Sequence, residues 1–206
     1  MYKETTSLCL GSPVMATATA SNGTSTWSID AWRDLVRRDG IERAASSLTG
    51  GFAIGMREPD GSVTLAVDRF AVQTLCYRVV DGHLRFAERA DELAGNSADI
   101  DTQAIFDYLY FHCIPSPRTI FKGVHRLPPG HFAQFRNGQL TVAPYWVAEF
   151  TEPASGSFNE LRDEFRQVLD RSVARQLDGS KAACFLSGGT DSSSVAGLIG
   201  KVSGQA

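Results

Sequence analysis

The sequence predicts two fold classes in succession: an α+β domain built from antiparallel sheets with helices, then the first α-β-α unit of an α/β domain. Residues 1–148 contain short apolar runs separated by turn signals, a pattern typical of antiparallel hairpins. From Phe158 the apolar residues recur with a helical period. The apolar run at 182–186 is predicted to be a strand, and a Gly-rich turn at 187–193 separates it from a second helical pattern. Between these regions, 149–157 contains Pro, Gly and Ser and is predicted to be a linker.

Composition excludes several classes of protein. The chain has 206 residues, is 43% hydrophobic and carries a formal net charge of −3, which indicates a globular protein with no nucleic-acid partner. No apolar run approaches the roughly 18 residues that cross a membrane, so we expect a cytoplasmic protein without a membrane partner. The four cysteines lack metal-type spacing, and we expect three of them to be buried in apolar surroundings. Cys9 is interpreted as a buried or incidental thiol.

The first half of the chain is predicted element by element. Residues 1–28 are weakly patterned; Asp30 is the expected cap of a helix that ends at Gly40, and residues 41–48 form a further helical turn or two. Three hairpins are expected, with turns at 58–61, 81–82 and 137–138.

Two further features belong to this half. Asp101 is the expected cap of a helix with Ile105, Tyr108 and Leu109 on one face, and we expect Trp32 and the Phe/Tyr cluster at 106–111 in the core. Asp68 and Arg69 are interpreted as a structural pair, and the four histidines show no metal spacing.

The turn at 187–193 carries the chemistry. Gly188 and Gly189 permit positive φ and close approach of the backbone to a phosphate at the positive end of a helix dipole. The hydroxyls of Ser187, Ser192 and Ser193 can donate to phosphate oxygens. Asp191 fits such a site if Mg²⁺ bridges its carboxylate and the phosphate.

The alternative is an ordinary helix start, with Thr190 or Asp191 as the N-cap. The turn lacks the lysine of a Walker A loop and the spacing of a dinucleotide fold. The whole string from Ser187 to Ser193, after an apolar run and before an apolar helix, favours the phosphate turn.

These residues resemble a known family. Ser187-Gly188-Gly189-Thr190-Asp191-Ser192 is similar to the SGGxDS pyrophosphate loop of N-type ATP pyrophosphatases. Upstream segments resemble asparagine synthetases (glutamine-hydrolysing) in the same order: Leu48–Ala53, Ala66–Tyr77, Leu84–Arg89, Ile114–Phe121 and Leu127–Gly130. The resemblance runs from about residue 30 to residue 202.

The resemblance implies a fold and two activities. It makes 1–148 a partial glutamine amidotransferase type 2-like domain with an Ntn-hydrolase-like glutaminase fold, and 158–206 the start of an asparagine synthase ATP-pyrophosphatase domain. The family hydrolyses glutamine with an N-terminal Cys and uses ATP to adenylate a carboxylate such as aspartate, which ammonia then attacks. ATP and Mg²⁺ are therefore expected, with Mg²⁺ near Asp191. The resemblance also allows a second copy of the chain as a partner, in a homodimer. The implied ATP/pyrophosphate-binding residues are Phe185, Leu186, Ser187, Gly188, Gly189, Asp191, Ser192 and Ser193.

The chain departs from the family pattern at its start. Position 2 is Tyr2 rather than Cys, and no catalytic residue is assigned. The chain matches the family only from the middle of the glutaminase domain and holds one α-β-α unit of the second domain, so we expect these 206 residues to be inactive alone. Two alternatives stay open: a β-lactam- or macrolactam-forming ligase without glutaminase activity, and a non-catalytic interaction module.

Overall fold

The structure is a computed structural model that describes residues 5–15, 27–95, 98–152, 156–177, 179 and 181–204. The chain divides into two compact units, Met1–Ala148 and Glu149–Ala206. Among the described residues, no helix is both long and apolar enough to cross a membrane.

The first unit contains most of the elements. In chain order they are β1 (Ser7–Gly11), β2 (Val14–Met15), α1 (Ile29–Asp39), α2 (Ile41–Ser46), β3 (Leu48–Thr49), β4 (Phe52–Arg57), β5 (Val63–Val67), β6 (Cys76–Val80), β7 (His83–Ala87), α3 (Asp91–Ala94), α4 (Thr102–Phe111), β8 (His125–Arg126), β9 (His131–Arg136) and β10 (Gln139–Pro144). The second unit contains α5 (Phe158–Gln176) and α6 (Thr190–Ser203).

A five-stranded antiparallel sheet is the centre of the first unit. Its strand order is β1-β4-β5-β9-β10, and a second sheet has the order β7-β6-β8. One face of the central sheet packs on α1 and α2 around Trp32, and the other packs on the second sheet around Leu84 and Phe86. The antiparallel α+β architecture predicted from the sequence is therefore confirmed.

Close packing between the two sheets explains one glycine. A Cβ built on Gly55 would lie 2.5 Å from a ring carbon of Phe86, well inside van der Waals contact. The second sheet therefore reaches the central one only because β4 has no side chain at this position.

The hairpin turns form as expected. Asn137 and Gly138 have φ of 51° and 77°, and Asp81 and Gly82 have φ of 52° and 73°, the left-handed pair that a two-residue hairpin turn requires. In the turn after β4, the Gly61 amide donates to the Glu58 carbonyl at 3.0 Å. All three predicted hairpins are confirmed.

The helix predictions need one correction. The N-cap of α1 is Ser28, whose hydroxyl accepts from the Ala31 amide at 3.1 Å, so Asp30 lies in the first turn instead. Gly40 ends α1 and Asp101 caps α4, both as predicted.

Two regions of the first unit differ from expectation. The weakly patterned N-terminal region contains β1, which forms because all five of its residues pair with residues of β4. Residues 1–4 and 16–26 of that region lie outside the described residues. Trp32 is buried as predicted, but the cluster at 106–111 is exposed. Only Ala104 of α4 is buried; Phe106 stacks on Tyr110, with ring centroids 6.2 Å apart, and does not pack into the core.

The cysteine prediction is wrong for most positions. Cys76 is buried, whereas Cys9, Cys113 and Cys184 are exposed. Cys9 lies on the edge strand β1, where one side has no neighbouring strand among the described residues.

Asp68 is buried, and its carboxylate does not form an ion pair with Arg69. Its carboxylate accepts backbone amides of Phe52 at 3.1 Å, Phe70 at 2.9 Å, and Val72 and Gln73 at 3.1 Å each. The expected structural pair with Arg69 is therefore wrong.

Arg69 lies over an aromatic ring. Its guanidinium carbon is 5.7 Å from the centre of the Trp146 ring, a cation–π geometry. Asp68 and Arg69 are adjacent in sequence, but Asp68 binds backbone amides whereas Arg69 contacts the ring of Trp146.

Replacing Asp68 should cost a large part of the stability. Asp68→Ala leaves four amides without their acceptor, and we expect the free energy of unfolding to fall by at least about 3 kcal/mol in urea titrations. Asp60→Ala is the matched control, since the Asp60 carboxylate lies in an exposed turn and, among the described residues, accepts hydrogen bonds from Ser62 alone. Equal stability of the two variants would contradict this assignment.

Tyr145 should make stability fall at high pH. Burial, aided by Asp68 and opposed by Arg69, raises the pKa of Tyr145, whose hydroxyl donates to the Val67 carbonyl at 2.7 Å. The unfolded state then loses this proton near pH 10 while the folded state keeps it, so stability declines as pH rises through and above about 10. Unfolding measured from pH 8 to pH 11 should show a smaller decline in Tyr145→Phe; identical slopes would refute the assignment.

Candidate functional site

The Gly-rich turn of the second unit leads directly into α6. Gly188 has φ of +83°, and Gly189 occupies the N-cap position in an extended conformation. The first helical hydrogen bond runs from the Ser193 amide to the Gly189 carbonyl at 3.2 Å. Gly188 is needed here because an L-residue at this φ would be strained.

Two serines fasten the turn. The Ser192 hydroxyl donates to the Gly189 carbonyl at 3.2 Å and accepts the Ser187 amide at 3.2 Å. The two hydroxyl oxygens are 3.0 Å apart, a contact in which either hydroxyl can donate to the other. Ser187 and Ser192 therefore hold the shape of the loop, a role that the sequence did not reveal.

No side chain caps α6. The N-cap is Gly189, so the alternative prediction that Thr190 or Asp191 caps the helix is wrong. The backbone N–H groups of the first turn are left without intrahelical acceptors at the positive end of the helix dipole. A Cβ at Gly188 would meet no atom within 4 Å, so the space beside the turn is open.

This arrangement fits an anion, and one neighbouring group fits a cation. Asp191 and Ser193 lie exposed in or next to the first turn of α6. Among the described residues no cluster of three His, Cys, Asp or Glu side chains could hold a metal by itself. A metal at this turn would therefore rest on the single Asp191 carboxylate together with ligand oxygens, which suits Mg²⁺.

The apolar run before the turn does not form the predicted strand. Residues 181–187 are without regular structure, and Phe185 and Leu186 are 99% and 67% exposed. A strand needs a partner for its backbone groups, and the described part of the second unit offers no other strand. The structure thus brings Ser187, Gly189 and Ser192 together and leaves Phe185 and Leu186 largely exposed before the turn.

The helix that carries the turn is positioned by α5. Ser157 and Glu160 form a capping box at the start of α5, with the Ser157 amide donating to the Glu160 carboxylate at 2.7 Å. Lys201 of α6 binds the Asp170 carboxylate of α5 at 2.6 Å. This pair has no signal in the sequence, because only packing of the two helices brings positions 31 residues apart together.

The first unit offers little for nucleophilic catalysis among its described residues. Residues 1–4, including Tyr2, lie outside them. Partial burial raises the pKa of the Cys9 thiol, whose one recorded hydrogen bond is to the Leu10 carbonyl at 4.0 Å. A thiol of raised pKa is a poor nucleophile.

Comparison with known proteins decides the family. The model of the glutamine amidotransferase domain matches residues 33–146, more than half of the chain. The chain belongs to the glutamine amidotransferase domain family. The asparagine synthase model matches residues 164–206, and the two matches together make the chain a member of the asparagine synthetase family.

Relatives of this amidotransferase-domain chain support the same assignment. It is 37% identical over 112 residues to a putative glutamine-hydrolysing asparagine synthetase of Mycobacterium tuberculosis, covering 52% of this chain and 17% of the relative. It is 32% identical over 157 residues to asparagine synthetase 1 of Bacillus subtilis, with 74% and 25% covered. It is 34% identical over 162 residues to amidase chyE of Penicillium rubens, with 75% and 24% covered. The chain spans a quarter or less of the length of these relatives.

Among solved structures, the glutamine phosphoribosylpyrophosphate amidotransferase of Bacillus subtilis, in complex with ADP and GMP, matches with a TM-score of 0.42. Sequence identity is 13%, with 97% of this chain and 44% of that chain covered.

Proposed function

We propose that this chain is part of an ATP-consuming, amide-forming ligase and that the turn at 187–193 binds the pyrophosphate portion of ATP. The observation that carries the proposal is the start of α6, where uncapped backbone N–H groups follow Gly188 and Gly189 in an open turn. The match of residues 164–206 to the asparagine synthase model supports it.

The proposed reaction has two steps. A carboxylate oxygen of a substrate such as aspartate attacks the α-phosphorus of ATP, and pyrophosphate leaves. Ammonia released from glutamine then attacks the acyl carbon, and AMP leaves. The protein's part at the turn is to hold the charge that develops on the leaving pyrophosphate, with N–H groups and a helix dipole that are already oriented.

Individual residues have distinct roles in this proposal. Gly188 and the first turn of α6 present amides, and Ser193 adds an exposed hydroxyl. Ser187 and Ser192 keep the loop closed, and Gly189 contributes to this closure because its amide donates to the Ser187 hydroxyl at 3.4 Å. Asp191 would hold Mg²⁺, which neutralises phosphate charge when bound. Phe185 and Leu186 are the proposed neighbours of the nucleotide, because their exposed side chains directly precede the turn.

The division of labour along the chain is also proposed. Residues 1–148 form part of a glutamine amidotransferase type 2-like domain, and residues 149–157 form the linker. Residues 158–206 are the start of the asparagine synthase ATP-pyrophosphatase domain. The family matches to 33–146 and 164–206 support this division. With ATP and glutamine as substrates, the proposed location is the cytoplasm.

Nucleotide binding should depend on two residues of the turn. We expect Gly188→Ala and Asp191→Asn to weaken binding of Mg²⁺-pyrophosphate and Mg²⁺-ATP by at least about ten-fold, or about 1.4 kcal/mol, in calorimetric titrations. Gly188→Ala acts by straining a backbone with φ of +83°, and Asp191→Asn by removing the metal's carboxylate.

The matched control is Asp163→Asn, which removes an exposed carboxylate of α5 whose ionic partner is the neighbouring Arg162. It should bind like the wild-type chain. Circular dichroism should show unchanged helix content in all three variants. Equal affinity of the turn variants and the control would contradict the proposed site.

Glutamine hydrolysis should be undetectable for these 206 residues. We expect no glutamate above the level without protein, because the Cys9 thiol has a raised pKa and no recorded base to activate it. If glutamate were released by the wild-type chain and by Cys113→Ser but not by Cys9→Ser, Cys9 would be the nucleophile and this expectation would be wrong.

A further inference from the structure

A cleft lies beside the central sheet, between the last turn of α1 and the turn that joins β4 to β5. Its volume is about 620 Å³, and every residue that lines it belongs to the first unit. The sheet residues in its wall are Met56 of β4, Thr64 of β5, and Gln134 and Arg136 of β9. The strand register places these side chains on the face of the sheet that packs on α1 and α2.

Thr64 brings a hydroxyl into this wall without a hydrogen-bond partner. The residue is only 7% exposed, and its Oγ1 atom has no partner among the described residues. A buried hydroxyl that makes no hydrogen bond costs about 1–3 kcal/mol. Valine has nearly the same shape and would avoid that cost, so the hydroxyl requires a partner from outside the chain.

Two side chains of β9 extend this polar surface. Gln134 lies directly opposite Thr64, and Arg136 lies two positions further along the same face of β9. The side chains of Gln134 and Arg136 make no hydrogen bond within the described part of the chain. Diagonal neighbours on adjacent strands are about 7–8 Å apart, so a ligand only a few atoms long can contact both Thr64 and the long Arg136 side chain.

The carboxylate of Glu58 at the mouth of the cleft is already neutralised. It accepts the Arg33 Nε at 3.1 Å and an Arg37 terminal nitrogen at 2.9 Å. Two guanidinium groups thus share one carboxylate, and this group of three residues carries one positive charge.

The second carboxylate of the cleft belongs to Asp60. Its bonds from the hydroxyl and the amide of Ser62, aided by the charge of Arg136, lower the pKa of Asp60 and keep it ionised. Asp60 therefore balances Arg136, and the cleft as a whole keeps one positive charge. A ligand with a single negative charge complements it, whereas a phosphate dianion would bring excess negative charge close to Asp60 and Glu58.

We propose that this cleft binds a short hydroxycarboxylate, with its carboxylate on Arg136 and its hydroxyl at Thr64 and Gln134. A guanidinium group binds a carboxylate through two parallel hydrogen bonds. A hydroxyl both donates and accepts, as do the Thr64 hydroxyl and the Gln134 carboxamide. Met56 supplies apolar surface for the carbon chain between the two ends.

Three probes of matched size separate the two contacts. 4-Hydroxybutyrate carries both groups, pentanoate replaces the hydroxyl by a methyl group, and 1,4-butanediol replaces the carboxylate by a neutral alcohol. In NMR titrations of the whole chain, 4-hydroxybutyrate should shift the Gln134 side-chain amide signals saturably, with a Kd of about 1 mM or below. Pentanoate, 1,4-butanediol and inorganic phosphate should each bind at least about ten-fold more weakly.

Two variants with matched controls test the residues. Thr64→Val should weaken binding of 4-hydroxybutyrate at least about ten-fold, leave that of pentanoate unchanged, and be at least as stable as the wild-type chain in urea titrations. Thr141→Val makes the same change on β10 and should bind like the wild-type chain. Arg136→Gln should weaken both carboxylates at least about ten-fold, whereas Arg166→Gln, at an exposed position of α5, should weaken neither.

Several outcomes would overturn the proposal. One is the absence of a saturable shift with 4-hydroxybutyrate up to about 20 mM, which would leave water as the partner of the Thr64 hydroxyl. Others are equal affinities for 4-hydroxybutyrate and pentanoate, tighter binding of inorganic phosphate than of 4-hydroxybutyrate, or binding that Thr64→Val leaves unchanged. A clear loss of stability in Thr64→Val would show that its hydroxyl serves the fold and not a ligand.

Discussion

The buried carboxylate of Asp68 is the interaction on which the sandwich of the first unit depends. It accepts four backbone amides, one from β4 and three from the segment that leads from β5 towards the second sheet. Its own amide donates to the Phe52 carbonyl at 2.8 Å, and its carbonyl accepts the Gly130 amide at 2.9 Å just before β9. A carboxylate that is only 2% exposed is tolerable without a cation because these amides replace its hydration. One side chain thereby fixes the path of the chain between the two sheets and the entry into β9.

The parts of the fold that the sequence predicted are those decided by neighbouring residues. Asn137-Gly138 specifies its hairpin because both residues must adopt positive φ, and that preference is local. The cap of α4 at Asp101 is local for the same reason. β1 is different: its residues are weakly patterned, and they form a strand only because β4 presents a complete row of backbone partners. The exposure of Phe106 could not be predicted from local sequence either, since burial depends on which residues the fold packs against a side chain.

The candidate site divides along the same line. Gly188 was identified from sequence, and its φ of +83° is a property that the residue type largely determines. The bonds of Ser192 to Ser187 and Gly189 depend on how the loop closes, although the placement of two hydroxyls on either side of a Gly-Gly pair is a signal that could have suggested them. The strand expected at 182–186 is absent because strand formation requires a partner, which no local pattern can supply.

Backbone N–H groups that lack a partner in a helix or sheet are important in both units, but their role differs. Around Asp68 the protein supplies the acceptor itself, so the amides stabilise the fold. At the start of α6 the N-cap is Gly189, which costs only a few tenths of a kcal/mol relative to a capping side chain, whereas a non-glycine residue at Gly188 would cost about 1–2 kcal/mol. Gly188 therefore sets the loop's shape, and Gly189 leaves the donors uncovered at little cost. Because the Ser192 oxygen accepts the Ser187 amide and not an amide of the helix, the donors of the first turn stay available to an anion from outside the chain.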